Sequence, residues 1–158
     1  MSVLAIDPGN TESAYALIGD DCKPWRFGKG TNADLLTLLP LYPPADHVAV
    51  EMVASYGMAV GADVFETCVW IGRFHQTITD RTGREPQLVT RDRIKLHHCH
   101  ARNAGDANIT QALKDRFAPG VRNHGKGTKT APGWFHGFHS DVWQAYALAV
   151  YVADEVAL

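Results

Sequence analysis

Three acidic residues stand where a folded chain can hold them still. Asp7 ends the apolar run Val3-Leu4-Ala5-Ile6, Glu51 ends Val48-Ala49-Val50, and Asp141 opens an alanine-rich stretch that reaches Ala149. A carboxylate at the end of a buried strand is held within the fraction of an ångström that metal catalysis demands. Its oxygens suit hard divalent cations such as Mg²⁺, which take a few carboxylates and complete their shell with water and phosphate. Two such ions about 3.5–4 Å apart can activate an attacking water and stabilise the leaving oxygen of an in-line phosphodiester displacement. Each acid also has a structural explanation: Asp7 before Pro8-Gly9 can start a turn, and Asp141 can cap a helix. Glu51 is harder to explain that way, because glutamate fits poorly at a strand end among apolar residues. Singly each acid reads as structural; together with the order of the strands they read as catalytic.

The elements that must position these acids follow from the apolar pattern. Val3–Ile6, 14–18, a short 25–27 and 47–50 read as strands, with the turn signal Asp7-Pro8-Gly9-Asn10 making the first two antiparallel neighbours. Residues 32–39, with four leucines, predict a short helix closed by Pro40. Val64, Phe65, Cys68, Val69 and Ile71 recur at helical spacing and predict a long helix over 61–80. A strand over 87–90 and helices over 92–98 and 106–117 follow. The segment 122–137, rich in Gly, Lys, Thr and Pro, is expected to be a mobile loop. A last helix from Asp141 carries Ala145, Leu148, Ala149 and Val152 as its buried stripe. Strands, helix, strand, helix, strand, then helices make a single α/β domain over residues 1–158, a mixed central sheet flanked by helices on both faces.

Composition narrows the function classes. The chain has 158 residues, 46% hydrophobic and 20% charged, which suits one globular domain. No run approaches the roughly 18 apolar residues of a membrane span. The N-terminus enters a strand directly, and Cys22, Cys68 and Cys99 form no CxxC pair, so an unprocessed cytoplasmic protein with reduced thiols is expected. The net charge is −2, yet eleven Lys and Arg face four acids between Arg81 and Thr130, leaving that third seven positive and the remainder nine negative. Such a split suits a protein that grips phosphates in one place and metal ions in another. Arg91, Arg93, Lys95, Arg102, Lys126 and Lys129 are the candidates for holding a nucleic-acid backbone, which would make binding steeply salt-dependent.

Several other features carry less. His97, His98, Cys99 and His100 suggest zinc, but neighbouring helical residues point in different directions and no second ligand pair follows. Asp106 reads as a helix cap that could also approach nucleic acid. Gly125-Lys126-Gly127-Thr128-Lys129 lacks the preceding strand and the spacing of a phosphate-binding loop, so a basic loop contacting phosphates is preferred over nucleotide hydrolysis. Trp134 and Phe135 could stack on unpaired bases or anchor their loop to the core.

Ile6-Asp7-Pro8-Gly9-Asn10-Thr11 resembles the first strand of the RuvC family of Holliday junction resolvases, within the RNase H-like superfamily. Val48-Ala49-Val50-Glu51 resembles its second acidic strand, and Asp141-Val142-Trp143-Gln144-Ala145-Tyr146-Ala147-Leu148-Ala149 its C-terminal helix. Ser55-Tyr56-Gly57, Phe65-Glu66, Trp70-Ile71-Gly72-Arg73-Phe74 and Gly125–Lys129 resemble the phage-borne branch of such proteins. The resemblance implies a homodimeric, phage- or prophage-encoded endonuclease that nicks four-way junctions or other branched DNA with Mg²⁺ or Mn²⁺, two ions per site. Asp7 would bridge the ions, with Glu51 and Asp141 completing one each. The chain departs from the pattern at Gln144, where a second carboxylate would stand three residues after the first. Gln144 could coordinate through its carbonyl, or His139 could supply the ligand. Two other readings compete: a non-catalytic DNA-binding module of the same fold, and the first phosphate motif of actin-like sugar kinases. The kinases need two such domains and a second phosphate motif, which this chain lacks.

Overall fold

A computed structural model describes residues 1–42 and 44–157. Five strands form one sheet in the order β3-β2-β1-β4-β5. β1 (Val3–Asp7), β2 (Glu12–Ile18) and β3 (Pro24–Thr31) make an antiparallel meander, while β4 (His47–Met52) and β5 (Gln87–Thr90) run parallel to β1. The parallel half needs long crossovers, and helices supply them. α1 (Asn32–Leu38), followed by a 3₁₀ turn over Leu39–Leu41, leads into β4, and α2 (Ala62–Thr82) leads into β5. α3 (Arg91–Cys99), α4 (Asp106–Phe117) and α5 (Val142–Val156) follow the sheet.

Strand alternation sorts the apolar residues onto two faces. Leu4 and Ile6 face α1 and α2, packing with Leu35, Ile71, Phe74 and Ile78. Val3 and Ala5 face the other way, onto Ala145, Leu148 and Ala149 of α5, with Ile94 of α3 and Ile109 and Leu113 of α4 beyond. α5 is buried on nearly every side from Val142 to Ala153, which is why its sequence is apolar all round rather than on one stripe. Its small alanines let it lie close against β1 and β2. No helix among the described residues is long and apolar enough to cross a membrane.

Two expectations need correction. β3 extends well beyond 25–27, because its pairing with β2 continues through Gly28-Lys29-Gly30. Those glycines hide the strand in the sequence; a Cβ at Gly28 would lie in tight contact with the Tyr15 ring, 3.1 Å away. The segment 122–137 is also built rather than loose. It holds a 3₁₀ turn over Arg122–Gly125 and a bridge between Gly127 and Pro132. Its aromatics do the anchoring. Phe135 is 2% exposed among Phe138, Trp143 and Tyr146. Trp134 stacks on Phe117 and donates its indole N–H to the Tyr146 hydroxyl, which donates in turn to the Cys22 carbonyl. Both aromatics are therefore committed to the core rather than presented for stacking on bases.

Candidate active site

β1 and β4 lie side by side with Ile6 abreast of Val50, so Asp7 and Glu51 follow abreast at the same end of the sheet. Asp7 is two residues after Ala5 and Glu51 two after Ala49, both on the α5 side, so the two carboxylates share that face. Across the meander Asp7 pairs with Ala14 and Ala14 with Lys29. Glu51 pairs with Val89 on the other side. One row across the sheet therefore reads Lys29, Ala14, Asp7, Glu51, Val89. α5 starts beside this row, and Asp141 occupies the position just before its first turn.

The structural explanations for these acids fail. Asp141 makes no capping hydrogen bond to its helix; its Oδ2 lies 2.7 Å from the Lys29 ammonium instead. The turn after Asp7 is held by others: Ser13 Oγ accepts from the Gly9 N–H, and the Asn32 amide donates to the Gly9 carbonyl. Gly9 itself is required, since a Cβ there would meet the Glu12 carbonyl oxygen at 2.3 Å.

The electrostatics are those of crowded, desolvated acids. Burial holds the Asp7 carboxyl well above the usual carboxylate range; Glu51, Asp141 and Asp106 push it the same way, and Arg91 opposes them. Glu51 is raised by burial too, against the pull of Arg91, whose guanidinium donates to Glu51 Oε2 at 3.1 Å. Arg91 also bonds Asp106, which opens α4. Burial works to lower the Arg91 pKa, but Glu51 and Asp106 outweigh it and raise it. Among the described residues nothing donates a hydrogen bond to Asp7.

Sequence reasoning missed two members of this centre. Lys29 lay in a stretch with no apolar signal. Asp106 was read as a helix cap, but Gly105 holds that position and its N–H donates to Asn108, leaving the Asp106 carboxylate to Arg91. Arg91 in turn is paired with two carboxylates, Glu51 and Asp106. It nonetheless lines, with Lys95, Arg102 and Tyr56, an open recess of about 440 Å³ beside Glu51. Arg93 points elsewhere, its guanidinium 5.8 Å from the Tyr151 ring. Lys126 and Lys129 are exposed on the 122–137 segment, away from α3 in the chain. The histidine cluster disperses: His97 pairs with Asp154 at 2.7 Å, while His98 bonds the Ala147 carbonyl, its pKa pushed down to about 4 by burial.

No three His, Cys, Asp or Glu side chains among the described residues converge tightly enough to enclose an ion. The outer carboxylates are instead drawn onto basic neighbours, Glu51 onto Arg91 and Asp141 onto Lys29. The donors nevertheless fit a hard divalent cation. All are oxygens, Asp7 lacks a partner, and the Gln144 side-chain oxygen, one turn into α5, is buried without a hydrogen bond. A buried oxygen left without a donor costs free energy unless something satisfies it. His139 is exposed just before the helix, where its backbone carbonyl accepts from the Val142 N–H.

An antiparallel meander continued by two parallel strands, with helices on both faces, is an RNase H-like fold, and solved structures of similar fold include RuvC. Thermus thermophilus RuvC superposes with a TM-score of 0.70 over 99% of this chain and 96% of that one, at 16% identity. T. thermophilus RuvC in complex with a Holliday junction substrate gives 0.68 over 99% and 94%, at 17% identity. Fowlpox virus resolvase in complex with a Holliday junction gives 0.55 over the whole of both chains, at 10% identity. By sequence the chain matches no family model and no curated protein.

Proposed function

We propose that this protein is a divalent-metal-dependent endonuclease that resolves Holliday junctions or related branched DNA. The observation that carries this reading is the placement of Asp7 and Glu51 abreast on parallel strands, with Asp141 opening the helix that covers the same face. The full-length likeness to RuvC and the pox resolvase, both solved with junction DNA, supports the choice of substrate.

In this reading Asp7, Glu51 and Asp141 would hold Mg²⁺ or Mn²⁺, two ions per site as the resemblance implies, with Gln144 or His139 as a further ligand. Bound there, the ions lower the pKa of the attacking water and offset charge on the leaving oxygen. The chain's own residues do the rest. Asp7 stands in the middle of the row, between Glu51 on the neighbouring strand and the start of the helix that carries Asp141. Arg91, Lys95 and Arg102 line the recess beside Glu51 and hold DNA phosphates, with Arg93, Lys126 and Lys129 extending the basic surface. Hydrolysis forms a bond from water oxygen to phosphorus and breaks the phosphorus–oxygen bond of one strand. Two copies acting on opposite strands would give paired nicks, so a homodimer is part of the proposal, as is a phage or prophage origin.

Asp7→Asn tests the assignment. It should bind a synthetic four-way junction about as well as the wild type and fail to cut it. A variant that still cuts would overturn the metal role of Asp7, whereas a non-catalytic module would show no metal-dependent cutting even in the wild type.

A further inference from the structure

The acidic centre contains a cation of its own. Lys29 stands in the same cross-strand row as Asp7, two strands away, with only the small Ala14 between them. Its ammonium lies 2.7 Å from Asp141 and 3.7 Å from Glu12. The lysine side chain is 24% exposed, held against the sheet rather than loose in solvent. The same end of the site is short of negative charge, because Gln144 follows Asp141 one turn later. Asp141 thus sits against a cation and gains no second acid from its own helix turn.

The opposite side is arranged differently. Arg91 also covers a centre carboxylate, Glu51, but it is directly hydrogen-bonded to Asp106 as well. When Glu51 turns to an ion, Arg91 keeps a partner. Lys29 has a second carboxylate as well, but Glu12 lies at 3.7 Å against 2.7 Å for Asp141. Drawn off Asp141, Lys29 keeps only this longer ion pair unless a new anion receives it. A DNA phosphate entering the site is such an anion.

Resting on the nuclease reading above, we propose that Lys29 is a positioning residue that occupies Asp141 in place of the second divalent ion until a DNA phosphate draws its ammonium away. The protein without DNA then holds one ion firmly, at Asp7 and Glu51, and the other only weakly. Loading of the second ion is coupled to substrate, which keeps the free enzyme from cutting at random.

The test is a calorimetric titration of Mn²⁺ into the full-length protein without DNA, with the Mn²⁺ electron-paramagnetic signal as a second count. Wild type should bind one ion tightly. Lys29→Met should bind a second ion roughly tenfold or more tighter than wild type does, because a positive charge within a few ångströms has been removed. Lys29→Arg should restore the wild-type curve. In cleavage assays Lys29→Met should lose turnover while gaining metal affinity, a combination that loss of fold does not produce; circular dichroism of both variants checks the fold. Two equal sites in wild type, or a Lys29→Met curve that matches it, would overturn the proposal and leave the nuclease reading standing. No Mn²⁺ bound by either protein would overturn both.

Discussion

Replacing Asp7 by Asn should make the metal-free protein more stable, not less. The Asp7 carboxyl is desolvated, faces Glu51, Asp141 and Asp106, and has no hydrogen-bond donor among the described residues. Its pKa is raised by folding, so the native state takes up a proton more readily than the unfolded chain. Stability from this group is therefore full below the ordinary carboxylate range near pH 4 and is lost as pH rises through the raised native value. At neutral pH the ionised form is a net cost. The neutral amide escapes that desolvation and repulsion, and a change of about 1–3 kcal/mol, the usual size for one buried substitution, is expected. For a chain of this length that corresponds to roughly 2–10 °C in Tm. Thermal unfolding in EDTA at pH 7.5 should show Asn above Asp by that margin, and the margin should vanish at about pH 4. Adding Mn²⁺ should reverse the order, since an ion at about a hundred times its Kd stabilises only the wild type, by about 2.7 kcal/mol. An Asn variant that melts below wild type in EDTA would refute the reasoning, because it would make Asp7 a structural partner rather than a strained ligand.

Other expectations follow from the core and the basic surface. Tyr146→Phe breaks the relay from Trp134 through the hydroxyl to the Cys22 carbonyl, at a cost of about 1–3 kcal/mol, and should speed proteolysis within 122–137; unchanged cleavage there would contradict the anchoring role. Gly127→Ala should destabilise by more than about 1 kcal/mol in urea unfolding, because φ is +66° and the new Cβ would lie 2.2 Å from the Gly133 nitrogen. Lys126→Ala and Lys129→Ala should each weaken binding equally across junction sequences and lower the salt slope by about one, read by fluorescence anisotropy at several salt concentrations.

The strand–helix order was legible because apolar runs and turn residues alternate cleanly from Val3 to Thr90. The positions of Asp7 and Glu51 were legible for the same reason, since a polar residue closing an apolar run announces itself, and Asp141 was legible as the acid that opens one. Lys29 was not, because edge strand β3 is held by backbone pairing through glycines and carries no period-two pattern of its own. The pairing of Arg91 with Asp106 was not legible for a related reason. Sequence spacing gives their elements but not that α3 and α4 open beside the same sheet end, where an ion pair forms across fifteen residues. The 122–137 segment looked mobile from its glycines and lysines, yet its order comes from Trp134 and Phe135 meeting Phe117 and Tyr146 in space.

The most direct test of the central claim is cleavage of a synthetic four-way DNA junction with Mg²⁺ or Mn²⁺, beside a linear duplex and a fork. Paired symmetric nicks in the junction, lost in EDTA and in Asp7→Asn, are the predicted result. Binding to the junction without metal-dependent cutting of any substrate would contradict it.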